Sequence, residues 1–373
     1  MTIPRLHFAH LPTPIEPMPR LSAALGGLQL FIKRDDQTGL ALGGNKTRKL
    51  EFLVAEALAQ GARTLVTAGA WQSNHCRQTA AAAARFGLDC TLVLAGETPR
   101  EATGNLLLDH LLGASLVPVA DRADRDRVLQ ETCTALAAQG RAPYLIPVGG
   151  SNPTGALGYC FALGEALSQT PLQDQPQARL QPSPPPPGED QERAGVLGSV
   201  QVPPQPQPQS LGSLASMGSD PGGTFDWMVF CTSSGGTHAG LVLGQRVFGY
   251  QGQVLGISND HPAAWVQREV AALASAASEK LGPRIDFTPA DVRVNDDYCA
   301  AGYGVVTDAE REAISLFARH EGILLDPVYT GRAAAGLIDL IRKGFFDKTA
   351  RVLFWHTGGQ AALFAADYQS CLW

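Results

Sequence analysis

Lys46 stands in Gly43-Gly44-Asn45-Lys46-Thr47-Arg48-Lys49, two glycines ahead of a helical pattern. A lysine amine at a helix start, approached closely by backbone, can attack a carbonyl if it is neutral part of the time. Two further segments offer complementary chemistry. Gln72-Ser73-Asn74-His75 presents hydroxyl, amide and free backbone N–H groups where a strand passes into a helix, a setting that binds carboxylate or phenolate oxygen. Ser233-Ser234-Gly235-Gly236-Thr237-His238-Ala239-Gly240 follows an apolar strand and opens an apolar helix, so its amides can cradle a phosphate. It is neither a Walker A loop nor a G-x-G-x-x-G fingerprint. An amine, a hydroxyl/amide pair and an anion cup are together what a pyridoxal phosphate (PLP) enzyme needs.

Each of these has a plain structural reading when taken singly. Lys46 could be a surface lysine, Ser73 or Asn74 an ordinary helix cap, and the glycine run a tight turn. Tyr303 and Tyr329, in the glycine-flanked loops 301–304 and 326–331, could pack a loop or shuttle a proton. The turn His356-Thr357-Gly358-Gly359 ends another strand and offers one more hydroxyl. Histidines 75, 238 and 356 read as structural or supporting groups. It is the combination that points to chemistry.

Positioning these groups requires a scaffold, and the pattern supplies one. Residues 63–67, 90–94, 115–119 and 144–147 read as strands, with helices at 75–86, 102–112 and 122–139 between them. Such alternation predicts a parallel sheet with helices on its faces. A second series follows, with strands at 226–231, 254–258 and 351–355. Its helices run from the glycine turn to 248 and over 263–281, 308–320 and 331–343. Residues 28–33 add a strand from the front of the chain, and a helix is expected at 48–58. The expected fold is therefore α/β, two open twisted parallel-sheet domains. The large, discontinuous one takes residues 1–48 and 161–373, and the small one residues 49–160. Ligands in such folds bind beyond the carboxyl ends of strands, which is where all three motif regions fall.

Between the halves, residues 169–224 depart from this pattern. Nine of the chain's 26 prolines lie within 181–210, alongside many glutamines. Such a sequence buries no core and reads as a disordered surface insertion, partly polyproline-II; a ligand for an SH3-type partner is the other reading.

Bulk composition narrows the classes. The 373 residues are 45% hydrophobic and 17% charged, with net charge −6, which disfavours a nucleic-acid footprint. No apolar run reaches the roughly 20 residues that span a bilayer. The N-terminus shows no signal-peptide core, so the cytosol is the expected compartment. Seven scattered cysteines without C-x-x-C spacing point to free thiols and to neither a disulfide scaffold nor a metal site.

The five motifs around Lys46, Ser73-Asn74, Gly235-Gly236, Leu325-Asp326-Pro327-Val328-Tyr329-Thr330-Gly331 and His356-Thr357-Gly358-Gly359 resemble, in order, those of the D-cysteine desulfhydrase and 1-aminocyclopropane-1-carboxylate (ACC) deaminase family. These are fold-type II PLP enzymes, similar in fold to the tryptophan synthase β chain. The likeness runs over nearly the whole chain outside the proline-rich stretch. It implies Lys46 as the Schiff-base lysine, and Lys49 with Ser234, Gly235, Gly236 and Thr237 as phosphate ligands. Asn74 would bind the cofactor's 3′-oxygen, and Ser73 the substrate carboxylate or the space beside the reacting carbon. Tyr303 and Tyr329 would line the substrate side. Thr330 and Thr357 stand where ACC deaminases look to carry Glu and Leu. A carboxylate facing the pyridine nitrogen would keep it protonated and the ring a strong electron sink, whereas threonine at 330 suits β-elimination.

The resemblance thus implies a cytoplasmic homodimeric lyase of amino-acid metabolism acting on a small amino acid, with no nucleic-acid or membrane partner. Its expected reaction is D-cysteine to pyruvate, hydrogen sulfide and ammonia. Lys46 or a tyrosine would take the α-proton, and Tyr329 or Tyr303 would donate one to the leaving group. ACC deamination to 2-oxobutyrate, a cysteate sulfo-lyase and a serine/threonine-type ammonia-lyase are the alternatives within enzymes. A silent PLP-binding module that recruits partners is the alternative outside them, and the intact Lys46 and tyrosines argue against it.

Overall fold

The computed structural model describes residues 3–169 and 225–372. Two sheets organise them. The larger has six strands, β1 (Ile15–Pro17), β2 (Gln29–Arg34), β7 (Trp227–Thr232), β8 (Gln253–Ser258), β9 (Arg293–Asn295) and β10 (Arg351–His356), in the order β1-β2-β10-β7-β8-β9. The smaller has β3 (Thr64–Ala70), β4 (Asp89–Ala95), β5 (Ser115–Val119) and β6 (Pro143–Leu145), ordered β5-β4-β3-β6. All pairings are parallel except β1 with β2, so the large sheet carries one antiparallel edge that the expected all-parallel arrangement lacked.

Strand alternation separates two apolar layers on each sheet. In β7 and β10, Met228, Phe230, Leu353 and Trp355 face helices α6 (Pro153–Ser168), α7 (Gly236–Phe248) and α8 (Ala263–Ser278). The intervening Val229, Cys231, Val352 and Phe354 face α1 (Pro19–Ala24), α9 (Asp308–Glu321) and α10 (Thr330–Arg342). In the small sheet, Leu65, Leu92 and Leu94 meet α2 (Asn45–Ala59), α3 (Asn74–Phe86) and α4 (Gly104–Leu111), while Val66, Val93 and Ala95 meet α5 (Arg125–Ala138). The chain closes with α11 (Ala366–Leu372). Helix α2 is shared: Phe52 belongs to the large-sheet layer, and Leu50, Leu53 and Val54 to the small-sheet layer.

Several expectations shift. Helix α2 starts at Asn45, so Lys46 lies inside its first turn. Helix α6 was not expected, because it is buried on nearly every side and shows no amphipathic period. The expected domain cuts at 48/49 and 160/161 fall inside α2 and α6, which pack as units. The proline- and glutamine-rich stretch, apart from Gln169, lies outside the described residues.

Candidate active site

Each sheet reverses its strand order once. From β3 the chain steps to β4 and β5 on one side, then returns to place β6 on the other. From β7 it steps to β8 and β9, then returns with β10. Crevices open beyond the carboxyl ends of strands at such switch points. Here the loops after β3 and β6 and those after β7 and β10 line one cavity of about 210 Å³. Lys46, Ser73, Asn74, His75, Gly149, Cys231, Ser234, Gly235, Thr237, Asp260, Tyr303, Tyr329 and Thr357 are among its walls.

The start of α2 is fixed by tight backbone crossings. Gly43 has φ +66°, and a Cβ there would come within 2.0 Å of the Asp36 carbonyl oxygen. The Asn45 amide donates to Thr357 O at 2.9 Å, and Asn45 Nδ2 donates to Thr237 Oγ1 at 3.0 Å. One residue past Thr47, Arg48 turns away from the cavity into a buried ion cluster. It donates to both Asp35 oxygens (2.8 Å each) and to both Glu165 oxygens (2.8 and 2.9 Å). Tyr159 and Lys33 complete that cluster. Lys46 and Lys49, one turn apart, face the cavity side. Burial pulls the Lys46 amine down to about 8, against the influence of Cys231 and of a hydrogen bond with Lys49. Burial, and then the charge of Lys46, push Lys49 well below the ordinary lysine range.

Helix α7 opens at Gly235 (φ +82°) with no side-chain cap, leaving its first amides to an external acceptor. Gly236 is approached so closely that a Cβ would lie 2.8 Å from Lys49 Nζ and 2.6 Å from Ser151 Oγ. Ser151 accepts from the Gly236 amide at 3.1 Å and donates to Ser234 Oγ at 2.8 Å. This group of donors (an amine-bearing side chain, helix-start amides and hydroxyls) matches a phosphate, whose charge would favour the protonated Lys49 amine, so the residues present fit PLP.

Across the cavity, Ser73 caps α3, accepting from the Cys76 amide at 3.2 Å. Asn74 Oδ1 accepts from Asn105 Nδ2 at 2.9 Å and from Arg77 at 3.3 Å, which turns its Nδ2 away from both. Thr67 donates to Ile146 O at 2.7 Å, so it accepts at 2.8 Å from His75 Nε2. His75 Nδ1 is then a bare, buried acceptor. Burial, then Lys46 and Lys49, hold this imidazole neutral. Tyr303 and Tyr329 join hydroxyl to hydroxyl at 2.7 Å. Burial pushes Tyr303 up to about 12 and Tyr329 well above the usual phenol range, so both are protonated at neutral pH.

Thr330, like Lys49 and Gly236, is not among the residues that line the cavity. Its hydroxyl donates to Asp326 Oδ1 at 2.7 Å and accepts from the Asp326 amide at 2.8 Å. A hydroxyl has one proton to give, and this one is committed to the turn that presents Tyr329. The threonines on the cavity wall are Thr232, Thr237 and Thr357. Four wall or cup residues escaped sequence reasoning. Ser151 was readable as the end of a glycine turn ahead of a capped helix (Asn152 with Pro153 at its first position). Arg122, Arg125 and Asp260 carried no local signal.

The description "pyridoxal-phosphate dependent enzyme" matches residues 6–181 and 214–358, and the interruption falls in the proline- and glutamine-rich stretch. The D-cysteine desulfhydrase of Salmonella typhimurium is 42% identical over 369 residues, covering 97% of this chain and 96% of that protein. That of Salmonella typhi is 41% identical with the same coverage. A crystal structure described as that of an ACC deaminase homologue aligns with TM-score 0.78 and 34% identity, covering 99% of this chain and 95% of that one.

Proposed function

Given that the chain belongs to the pyridoxal-phosphate-dependent enzymes, we propose that it cleaves the carbon–sulfur bond of D-cysteine, releasing hydrogen sulfide, pyruvate and ammonia. The observation that carries this reading is the pairing, in one cavity, of an amine able to be neutral with two linked phenols able to donate. The activity of relatives 41–42% identical over 97% of the chain supports it.

PLP would be held at its phosphate by Lys49, Ser234 and the Gly235–Thr237 amides, with Ser151 beside them, and at its 3′-oxygen by Asn74. Thr357 replaces Thr330 as our candidate for the ring nitrogen. When bound, PLP delocalises the electron pair left on the substrate's α-carbon. The protein supplies the rest. Ser73 and the free amides of α3 bind the substrate carboxylate. The Lys46 amine takes the α-proton; with its pKa near 8, roughly a tenth of the amine is neutral at pH 7, against about 0.03% for an ordinary lysine. The Tyr303–Tyr329 pair delivers a proton to the departing sulfur, a contribution typically worth about 10²–10⁴-fold. The α C–H and β C–S bonds break, a C=C bond forms, and the resulting aminoacrylate hydrolyses to pyruvate and ammonia.

ACC deamination is the second reading, favoured by the likeness to the ACC deaminase homologue. Against it, Asp260 is the sole carboxylate on the cavity wall among the described residues, and Thr357, our candidate for the ring nitrogen, carries no negative charge. No described group then holds the ring nitrogen protonated in the way ring opening of a substrate without an α-hydrogen demands.

The seven free thiols support a reducing, cytosolic setting. Exposed Leu42 and Phe364, which line one shallow depression, support a homodimer. Purified protein loaded with PLP should give sulfide and pyruvate in equal amounts from D-cysteine and far less from L-cysteine. 2-Oxobutyrate from ACC without sulfide from D-cysteine would transfer the assignment to the second reading, and sulfite from cysteate would point to the sulfo-lyase.

A further inference from the structure

One guanidinium joins the two halves of the cavity rim. Arg122 opens the single-turn helix Arg122–Asp124 that follows β5 of the small sheet. Its side chain reaches the large-sheet side. One nitrogen lies 3.4 Å from Asp260 Oδ2, in the loop after β8. Its Cζ stands 5.0 Å from the centre of the Tyr303 ring. The Asp260 side chain is 6% exposed, and its Oδ2 also meets His261 Nε2 at 3.5 Å, while Oδ1 has no partner among the described residues. Arg122 therefore touches a carboxylate and a phenol ring at once, and that phenol's hydroxyl is the one bonded to Tyr329.

The position of this clasp is informative. An outer depression of about 800 Å³, lined by Leu129, His261 and Trp265, shares Arg122, Arg125, Asp260 and Tyr303 with the inner cavity. Arg122 stands on the boundary between the two. Both of its contacts are weak in kind: the ion pair is long and the Arg122 side chain is 56% exposed, so each breaks readily.

We propose that Arg122 is a positioning residue of the reaction, setting the Tyr303 ring across the cavity rim. The inference rests on Tyr303 acting in proton transfer, as proposed above. Arg122 touches no reacting atom and acts through Tyr303 alone. Its effect must therefore disappear when the Tyr303 hydroxyl is absent.

The test is a kinetic cycle on the PLP-loaded full chain with Arg122→Met, Arg122→Lys, Tyr303→Phe and the Met/Phe double variant. Arg122→Met should lower kcat about two- to five-fold, the factor carried by an exposed cation–π contact, with KM little changed. Arg122→Lys should recover most of that loss. In the Tyr303→Phe background the Arg122→Met substitution should have no further effect. If Arg122→Met costs the same factor in both backgrounds, or acts on KM alone, the positioning role is wrong while Tyr303 keeps its own. If Tyr303→Phe leaves kcat at the wild-type value, the phenol reading fails first and this proposal falls with it.

Discussion

The rate at which apo-protein takes up PLP should follow the neutral fraction of Lys46, because an ammonium has no lone pair with which to attack an aldehyde. Burial brings that amine to about 8. The neutral fraction is then about 10% at pH 7, 50% at pH 8 and 90% at pH 9. The uptake rate should rise close to tenfold per unit below pH 7, bend near 8 and level above 9. A lysine at the ordinary 10.5 would climb with unit slope across the whole range. The second ionisation of a phosphate monoester lies near 6, so work above about pH 6.8 leaves the cofactor a dianion throughout. The assay is stopped-flow growth of the visible absorbance formed when the amine bonds the aldehyde, with protein in excess and ionic strength fixed. A rate that keeps rising tenfold per unit through pH 8 to 9.5 would mean that Lys46 is not desolvated, and the argument from burial would be refuted.

Four further variants have expected outcomes. Lys46→Ala should lower sulfide release by at least about 10²–10⁴-fold while leaving the far-UV circular dichroism unchanged. Arg48→Met should cost about 3–5 kcal/mol in urea unfolding, since it takes the partnering guanidinium from the buried Asp35 carboxylate and leaves Glu165 with Lys33 as its ion-pair partner. The same variant should flatten the acid limb of stability. Burial alone would raise the Asp35 pKa, but Arg48 holds it down to about 2. Its stabilisation is therefore present above its unfolded pKa of about 4 and is lost as pH falls toward 2. Gly43→Ala should destabilise by about 1–3 kcal/mol or more, seen as a lower Tm, because the new methyl meets the Asp36 carbonyl at a positive φ. Asn105→Ala should weaken PLP binding about two- to tenfold by fluorescence titration, as Asn74 Oδ1 loses one of its anchors.

The legible parts of this chain were those in which local pattern and tertiary role coincide. Residues 115–119 and 308–320 read correctly because a short β-branched run and an amphipathic, capped helix announce themselves. The motif regions at 72–75 and 233–240 read correctly as strand-to-helix turns because glycine and capping residues mark such turns. Helix α6 was invisible for the opposite reason. Its Gly155, Gly158 and Gly164 let Gly150, Arg48 and Phe248 approach closely, so the sequence reads as a breaker-rich apolar run. The bond of the Thr330 hydroxyl to Asp326 was not legible, because adjacency to Tyr329 in sequence does not reveal it. Arg122 and Asp260 lie 138 residues apart, and nothing local to either one foretells their meeting.

Because α2 contributes side chains to the apolar layers of both sheets, neither half of the protein is complete without it. The amine of Lys46 rides on the first turn of this shared helix, which the Asn45 amide ties to Thr357 O, while Arg122 stands on a surface turn with an exposed side chain. A change at the mouth need not disturb the seam that holds the amine. Speed of substrate entry and accuracy of chemistry are properties this architecture can tune at separate addresses.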